Sequence, residues 1–131
     1  MVLSFCLEDR GGLSFQGKRL SRDRLLTEDL WQRSGQNLWM APESACLFAG
    51  KTVTARRDFL TSAPPEAWCF AEHGPLYPGA VRAEKLAVYW WNRRYPADVF
   101  CDVDLTKWHK AEELVFCGFS HPEIRLEVYE R

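Results

Sequence analysis

The sequence of 131 residues lacks the features that mark membrane, secreted and metal-binding proteins. No apolar run is long enough to span a bilayer, and charged residues at 8–10 interrupt the apolar start too early for a signal peptide. The five cysteines are odd in number, widely spaced and never arranged as Cys-x-x-Cys, which argues against a zinc or redox motif. We therefore expect a cytoplasmic protein with reduced thiols, no metal and no membrane association.

An excess of charge of either sign is also missing. Seventeen Lys and Arg residues face 18 Asp and Glu residues, so the whole molecule has no electrostatic attraction to nucleic acid or anionic lipid. There is no internal repeat, no P-loop and no Gly-x-Ser-x-Gly motif. The balance of 47% hydrophobic and 27% charged residues is that of a globular protein. A chain of this length fits one domain, so we predict a single domain over 1–131.

Apolar periodicity predicts alternating strands and helices first, then strands alone. The early segments are a strand in VLSFCLE, a helix from about Asp23 to Gly35, a strand in NLWMAP, one or two helical turns in ESACLFAG, an uncertain strand in TVTAR and a strand in AWCFAE. The later strands are EKLAVYWWNR, ELVFCGF and EIRLEVYER. The last alternates apolar and polar residues, which predicts one wet face. This order favours a mixed α/β sheet, parallel in its first half and closed by an antiparallel C-terminal hairpin.

Several of these segments, in this order, resemble dihydrofolate reductase. The opening LSFCLEDRGGLSFQGKRL resembles the family's first strand, Asp-x-x-x-Gly turn and mobile loop. NLWMAPESACLFAG stands where the family has a strand ending in Met-Gly-Arg-x-Thr and then a helix, and AEKLAVYWWNRRYPADVFCDVD is similar to its Ala-x-x-Leu-x-(Leu/Val)-Thr strand and the loop beyond. SHPEIRLEVYER resembles its final strand. The resemblance implies a three-layer dihydrofolate-reductase-like architecture, with a middle third shorter than in the family.

The positions where this family binds the phosphates of NADPH are different here. The family uses a Gly-Arg-x-Thr turn and a Gly-Gly pair. This chain has Ala41, Pro42, Glu43 and Ser44 at the first, and Ala71, Glu72 and His73 at the second. Close backbone approach to a pyrophosphate favours glycine, and a carboxylate repels it. The resemblance therefore implies a divergent member for which no cofactor is expected, or NADPH if the cofactor site has been rebuilt.

The positions that would contact a folate are also altered. The family's Trp-x-x-Pro-x-Asp loop presents a pterin-binding carboxylate, for which LSRD offers only Asp23. The supporting threonine corresponds to Tyr89, whose bulk would intrude if it faced the pocket. Arg56 and Arg57 are the nearest candidates for a glutamate-binding arginine. Asp23 is thus a candidate catalytic acid with a raised pKa, and the alternative is that it caps a helix, with Ser21 sharing that role.

The stretch QGKRLSRDR concentrates four cations before the predicted helix. Lys18, Arg19, Arg22 and Arg24 predict an anion-binding site, because arginine suits bidentate contact with phosphate or carboxylate. The alternative is a solvated turn paired with Glu28 and Asp29. Cations at a helix start oppose the helix dipole and so do little for folding, which supports the ligand-binding hypothesis as strongly as the alternative.

These features lead to three hypotheses for function. The first is a divergent dihydrofolate-reductase-like domain, without ordinary folate reduction, that binds a small anionic molecule or a protein partner at the old substrate cleft. The second is a nicotinamide-dependent reductase with a rebuilt cofactor site. The third is an RNA-binding or RNA-cleaving protein that uses the basic stretch with Arg93, Arg94 and a histidine. Of the three histidines, His109 and His121 are predicted at the surface of the last hairpin, and Trp90 and Trp91 in the core.

Overall fold

The computed structural model describes residues 1–131 and contains ten strands, three α-helices and two 3-10 turns. The strands are β1 (Val2–Leu7), β2 (Gly12–Phe15), β3 (Lys18–Arg19), β4 (Leu38–Met40), β5 (Thr54–Ala55), β6 (Trp68–Phe70), β7 (Lys85–Trp90), β8 (Val99–Phe100), β9 (His109–Phe116) and β10 (Ile124–Glu130). The helices are α1 (Arg24–Arg33), α2 (Phe59–Ser62) and α3 (Tyr77–Ala80), and the 3-10 turns are Pro42–Phe48 and Leu105–Lys107. None of the helices combines the length and apolar character needed to cross a membrane.

Seven strands form the main sheet, in the order β5-β4-β6-β1-β7-β10-β9. The pairs from β5 to β7 are all parallel, and β10 runs antiparallel to both β7 and β9. The predicted mixed sheet, parallel in its first half with an antiparallel C-terminal hairpin, is therefore confirmed. A second sheet, in the order β3-β2-β8, was not predicted. Its strands have two to four residues, too few to show a period.

Helices cover both faces of the main sheet, which confirms the three-layer α/β architecture. Alternate residues of β1, such as Leu3 and Phe5, pack with α2 and α3 on one face. On the other face, Leu26 and Leu30 of α1 pack against Tyr89. The side chains of Leu3, Phe5, Leu26, Leu30 and Tyr89 are almost completely buried. The hydrophobic core therefore lies on both faces of the sheet, between it and the two helical layers.

The predicted helix α1 is confirmed, and it ends where the sequence places a glycine. Gly35 has φ +61, a left-handed conformation that glycine adopts without a steric penalty, so it suits the end of a helix. The turns predicted after Pro42 form a seven-residue 3-10 helix. Residues 51–66, for which little was predicted, contain β5 and α2.

The prediction that β10 has one wet face is wrong. Glu127 is 5% exposed and Tyr129 is 8% exposed, although both lie on the face predicted to be in water. The Glu127 carboxylate accepts hydrogen bonds from the Trp90 indole, the Tyr129 hydroxyl and the Lys110 ammonium. A buried carboxylate is tolerated when donors surround it, so an alternating pattern did not require a solvated face here.

Candidate functional site

A narrow cleft lies at the carboxyl ends of the parallel strands β1 and β6, beside the start of α1. Open α/β sheets bind ligands at this edge. The cleft walls include Cys6, Arg19, Ser21, Phe70 and Glu72, and its empty volume is about 370 Å³ including the mouth. The side chains around the cleft leave room inside it for only about one or two water-sized groups. In this conformation the cleft therefore admits small groups rather than a fused aromatic ring.

An ion pair between Arg19 and Glu72 crosses this cleft. The Arg19 Nε and Nη2 atoms donate to the two oxygens of Glu72 at 2.7 and 2.9 Å, and the Ser44 hydroxyl donates to Glu72 Oε1 at 2.7 Å. Arg19 Nη2 also donates to the Glu43 carbonyl oxygen at 3.1 Å. The bonds to Glu72 raise the pKa of Arg19. Arg19, one of the four predicted ligand-binding cations, thus holds an anion supplied by its own chain.

A second groove, of about 810 Å³, borders the turns that follow β4 and β6. Its lining residues include the four positions singled out for cofactor binding, namely Ala41, Ser44, Glu72 and His73. The groove also contains Glu43 and Asp58. Each of its three carboxylates is paired with an arginine: Glu43 with Arg57 at 2.6 Å, Asp58 with Arg56 at 3.0 Å, and Glu72 with Arg19. The arginines considered for a glutamate tail, Arg56 and Arg57, are therefore engaged within the chain.

Asp23 is the N-cap of α1 and the most densely hydrogen-bonded carboxylate in the protein. It accepts from the N–H groups of Leu25 and Leu26 in the helix and from those of Phe119 and Ser120 in the loop before β10. Burial alone would raise the pKa of Asp23, but these bonds and that of His121 outweigh burial and lower the pKa well below its usual range. The raised pKa expected for a catalytic acid is therefore wrong, and Asp23 fills the capping role.

The prediction of a surface position is wrong for His121, which is 3% exposed. Its Nδ1 atom lies 3.0 Å from Asp23 Oδ2, and its Nε2 atom lies 3.1 Å from Ser21 Oγ and 3.0 Å from the Tyr95 hydroxyl. The imidazole packs against the Trp91 ring at 4.7 Å between centroids. His109 is exposed and lies opposite Glu130 in the register of β9 and β10, at the far end of the hairpin. The two histidines are therefore not in contact. No sequence pattern marked His121, because its partners lie up to 100 residues away.

The predicted basic cluster is divided by the structure. Arg22 and Arg24 line one groove at the start of α1, with Cys46, Leu47 and Phe119 among its other walls. Neither arginine forms an ion pair, and the Arg24 guanidinium lies 4.1 Å from the centroid of the Phe119 ring. Lys18 lines a different groove, with Tyr95 and Pro96. Only Arg22 and Arg24 are thus brought together and left free.

The solvated-turn alternative predicted partners that these cations do not have. Glu28 pairs with Lys51 at 3.0 Å, and Asp29 pairs with Arg33 at 2.9 Å. Asp29 also accepts from the Tyr89 hydroxyl at 2.6 Å. Tyr89 is fully buried and does not line the cleft, so its bulk does not intrude on a pocket.

The arrangement can be compared with known proteins. No protein-family model matches the sequence, and no curated protein is significantly similar to it. A solved structure of dihydrofolate reductase from Enterococcus faecalis, complexed with NADP(H) and RAB-propyl, superposes with a TM-score of 0.69 and 11% sequence identity. The superposition covers 99% of this chain and 95% of that one. At this identity the likeness is one of fold, and the chain therefore has the dihydrofolate reductase fold.

Proposed function

We propose that this chain is a divergent dihydrofolate-reductase-like domain that binds a small anion, free or carried by a partner, at the rim of the cleft through Arg22 and Arg24. One observation carries the proposal. These two guanidinium groups line one groove and form no ion pair, since the Asp23 carboxylate beside them is taken up by other donors. Arg19, Arg56 and Arg57 are all paired with carboxylates. Two neighbouring arginines without ion pairs can bind phosphate or carboxylate oxygens in a bidentate manner, and the cation–π contact of Arg24 with Phe119 leaves its N–H groups available as donors.

The second part of the proposal is that ordinary folate reduction is absent. The fold family implies NADP(H), but the residues at the second groove do not fit a pyrophosphate, because Glu43, Asp58 and Glu72 present carboxylates and the turn after β6 lacks paired glycines. A dinucleotide would have to compete with Glu43 for Arg57 or with Glu72 for Arg19 before its phosphates could pair with a cation. Asp23 is ionised and enclosed by donors, so it has no proton to give. We derive no hydride-transfer step for this chain.

The test is thermal stability and calorimetric binding with inorganic pyrophosphate, dihydrofolate, NADPH and a short single-stranded RNA. The proteins are the wild type, Arg22→Ala/Arg24→Ala, and a matched control Arg93→Ala/Arg94→Ala, which removes two exposed and unpaired arginines elsewhere. A ligand at a hundred times its Kd adds about 2.7 kcal/mol of stability. We expect pyrophosphate to stabilise the wild type and the control but not the R22A/R24A variant.

Each other outcome points to a different function. Equal stabilisation of all three proteins by pyrophosphate, or of none, would overturn the Arg22/Arg24 site. Stabilisation by NADPH would support the reductase with a rebuilt cofactor site. RNA binding that weakens in both double variants, with a steep dependence on salt, would support the nucleic-acid hypothesis instead.

A further inference from the structure

Ser21, His121 and Asp23 form a continuous chain of hydrogen bonds at the wall of the cleft. Ser21 Oγ lies 3.1 Å from His121 Nε2, and His121 Nδ1 lies 3.0 Å from Asp23 Oδ2. A hydroxyl, an imidazole and a carboxylate in this order are the three groups that activate a serine as a nucleophile. The order is recognised by geometry and not by position in the sequence.

The histidine is held in the tautomer that this chemistry requires. Asp23 is ionised, so it accepts a hydrogen bond, and the proton of a neutral imidazole is assigned to Nδ1. The lone pair of Nε2 then lies within hydrogen-bond distance of both the Ser21 and the Tyr95 hydroxyl groups. Asp23 is itself fixed by the Phe119 and Ser120 N–H groups, and the imidazole is fixed by its stacking on Trp91. The imidazole therefore does not have to reorganise before its Nε2 atom can receive a proton from Ser21.

Access to the cleft differs among the three residues. His121 and Asp23 are buried, whereas Ser21 is half-buried and lines the cleft. The backbone N–H groups of Ser21 and Arg22 donate no hydrogen bond within the protein. Leu20, Leu47 and Phe70 give the cleft apolar walls. The Ser21 hydroxyl thus faces a cleft with apolar walls, and the Arg19–Glu72 ion pair lines the same cleft.

We propose that Ser21 is a nucleophile in hydrolysis of small carboxylic esters, with His121 as general base and Asp23 as a positioning residue. Ser21 Oγ attacks the ester carbonyl and passes its proton to His121 Nε2, and the new Oγ–C bond forms. The C–O bond to the leaving alcohol breaks as Nε2 returns the proton to it. Water then attacks the acyl-serine in the same way, which releases the carboxylic acid and restores Ser21. The limited space in the cleft selects compact acyl groups.

Tyr95 gives the proposal an internal control. Its hydroxyl lies 3.0 Å from the same Nε2 atom and 3.4 Å from Ser21 Oγ. A tyrosine that donates to Nε2 occupies the lone pair that Ser21 needs. Tyr95→Phe should therefore leave the protein folded and increase the reactivity of Ser21, whereas a purely structural network would show no gain.

The first experiment treats the full chain with phenylmethylsulfonyl fluoride, which transfers its sulfonyl group to an activated serine with loss of fluoride, and maps the product by mass spectrometry. We expect modification at Ser21, none in Ser21→Ala, and a rate reduced about 100-fold in His121→Gln. Ser62→Ala is the matched control, since Ser62 Oγ is a partly buried hydroxyl that bonds only to Asp58, far from His121 and Asp23. It should react like the wild type.

Hydrolysis of p-nitrophenyl acetate should follow the same order among the variants. The positioning role of Asp23 has a separate readout: a downfield proton resonance of the His121 Nδ1–H group, present in the wild type and in Ser21→Ala but lost in Asp23→Asn. Absence of modification at Ser21, equal modification of Ser120, or an unchanged rate in a folded His121→Gln protein would overturn the proposal. If His121→Gln does not fold, the Tyr95→Phe rate decides, and a rate no faster than the wild type counts against it.

Discussion

Arg19 and Glu72 are joined by two parallel hydrogen bonds of 2.7 and 2.9 Å across a separation of 53 residues. The pair connects β3 to the turn after β6, and Ser44 adds a third bond to the same carboxylate from the 3-10 turn after β4. Three segments that border the cleft are therefore tied together at one carboxylate. The anion at the mouth of the cleft is therefore the Glu72 carboxylate of the protein itself. The cations without ion pairs, Arg22 and Arg24, lie farther along the rim.

Replacement of Glu72 by glutamine should destabilise the protein by about 1–3 kcal/mol. Loss of one partner of a fully buried pair costs about 3–5 kcal/mol. The Arg19 side chain keeps 28% of its exposure and can recover some hydration, so the cost is smaller here. Urea unfolding measures the change. Glu43→Gln, which breaks the exposed pair with Arg57, is the matched control and should cost less than about 1 kcal/mol. Equal effects would contradict this ranking.

Replacement of Asp23 by alanine should cost about 2–4 kcal/mol. The variant removes the cap of α1, worth about 0.5–2 kcal/mol, and leaves the N–H groups of Phe119 and Ser120 without their acceptor. Asp104→Ala is the control, because Asp104 caps only the exposed 3-10 turn at 105–107. It should cost clearly less than Asp23→Ala. Hydrogen exchange should show faster opening at Phe119 and Ser120 in Asp23→Ala alone.

Acid should lower the free energy of unfolding, partly through protonation of Glu127. Burial alone would raise the pKa of Glu127, but the bonds from Lys110, Tyr129 and Trp90 lower it from 4.5 to about 2. A lowered pKa in the folded state means that ionised Glu127 stabilises the protein fully above pH 4.5 and that this contribution is lost as the pH falls toward 2. The free energy of unfolding of the wild type should exceed that of Glu127→Gln by on the order of 2 kcal/mol at pH 7. The difference should shrink toward pH 2, and a constant difference would refute the assignment.

Gly118→Ala should destabilise the loop that carries His121. A Cβ atom there would lie 2.6 Å from Asp23 Oδ2 and 2.7 Å from Ile124 Cδ1. Asp23 is held on every side and cannot retreat, so we expect a cost of about 1–3 kcal/mol. Gly74→Ala, whose nearest contact would be Val99 Cγ1 at 3.1 Å, should cost less. Differential scanning calorimetry of the two variants provides the comparison, and a smaller loss for Gly118→Ala would count against the contact.

Most of the fold could be predicted because its main elements carry their own periodic signals. Strand β7 ends in the β-branched and aromatic residues Val88, Tyr89 and Trp90, and α1 has apolar residues spaced for one face and a glycine just after its end. The second sheet could not be predicted, since β3 and β8 have two residues each and are stabilised only by pairing with β2. Tertiary contacts, and not local propensity, decide such segments.

The site was less predictable than the fold. The basic stretch was visible in the sequence, but which of its cations would be free depended on Glu72, a residue 53 positions from Arg19. His121 sits in a loop with no period, and its burial comes from Asp23, Tyr95 and Trp91. Polar contacts between distant segments leave no local pattern, so only the folded chain shows them.

The cap of α1 also has a consequence for the order in which the chain can fold. The helix begins at residue 24, but its N-terminal carboxylate is enclosed by residues 119–121, which a ribosome makes about a hundred residues later. Strand β10 lies between β7 and β9, so β9 cannot pair with the main sheet until β10 has been synthesised and has paired with β7. Both the hairpin and the Ser21–His121–Asp23 chain are therefore completed last. A nascent chain stalled before residue 119 would hold a helix whose Asp23 cap lacks its partners from residues 119–121, beside an unfinished cleft.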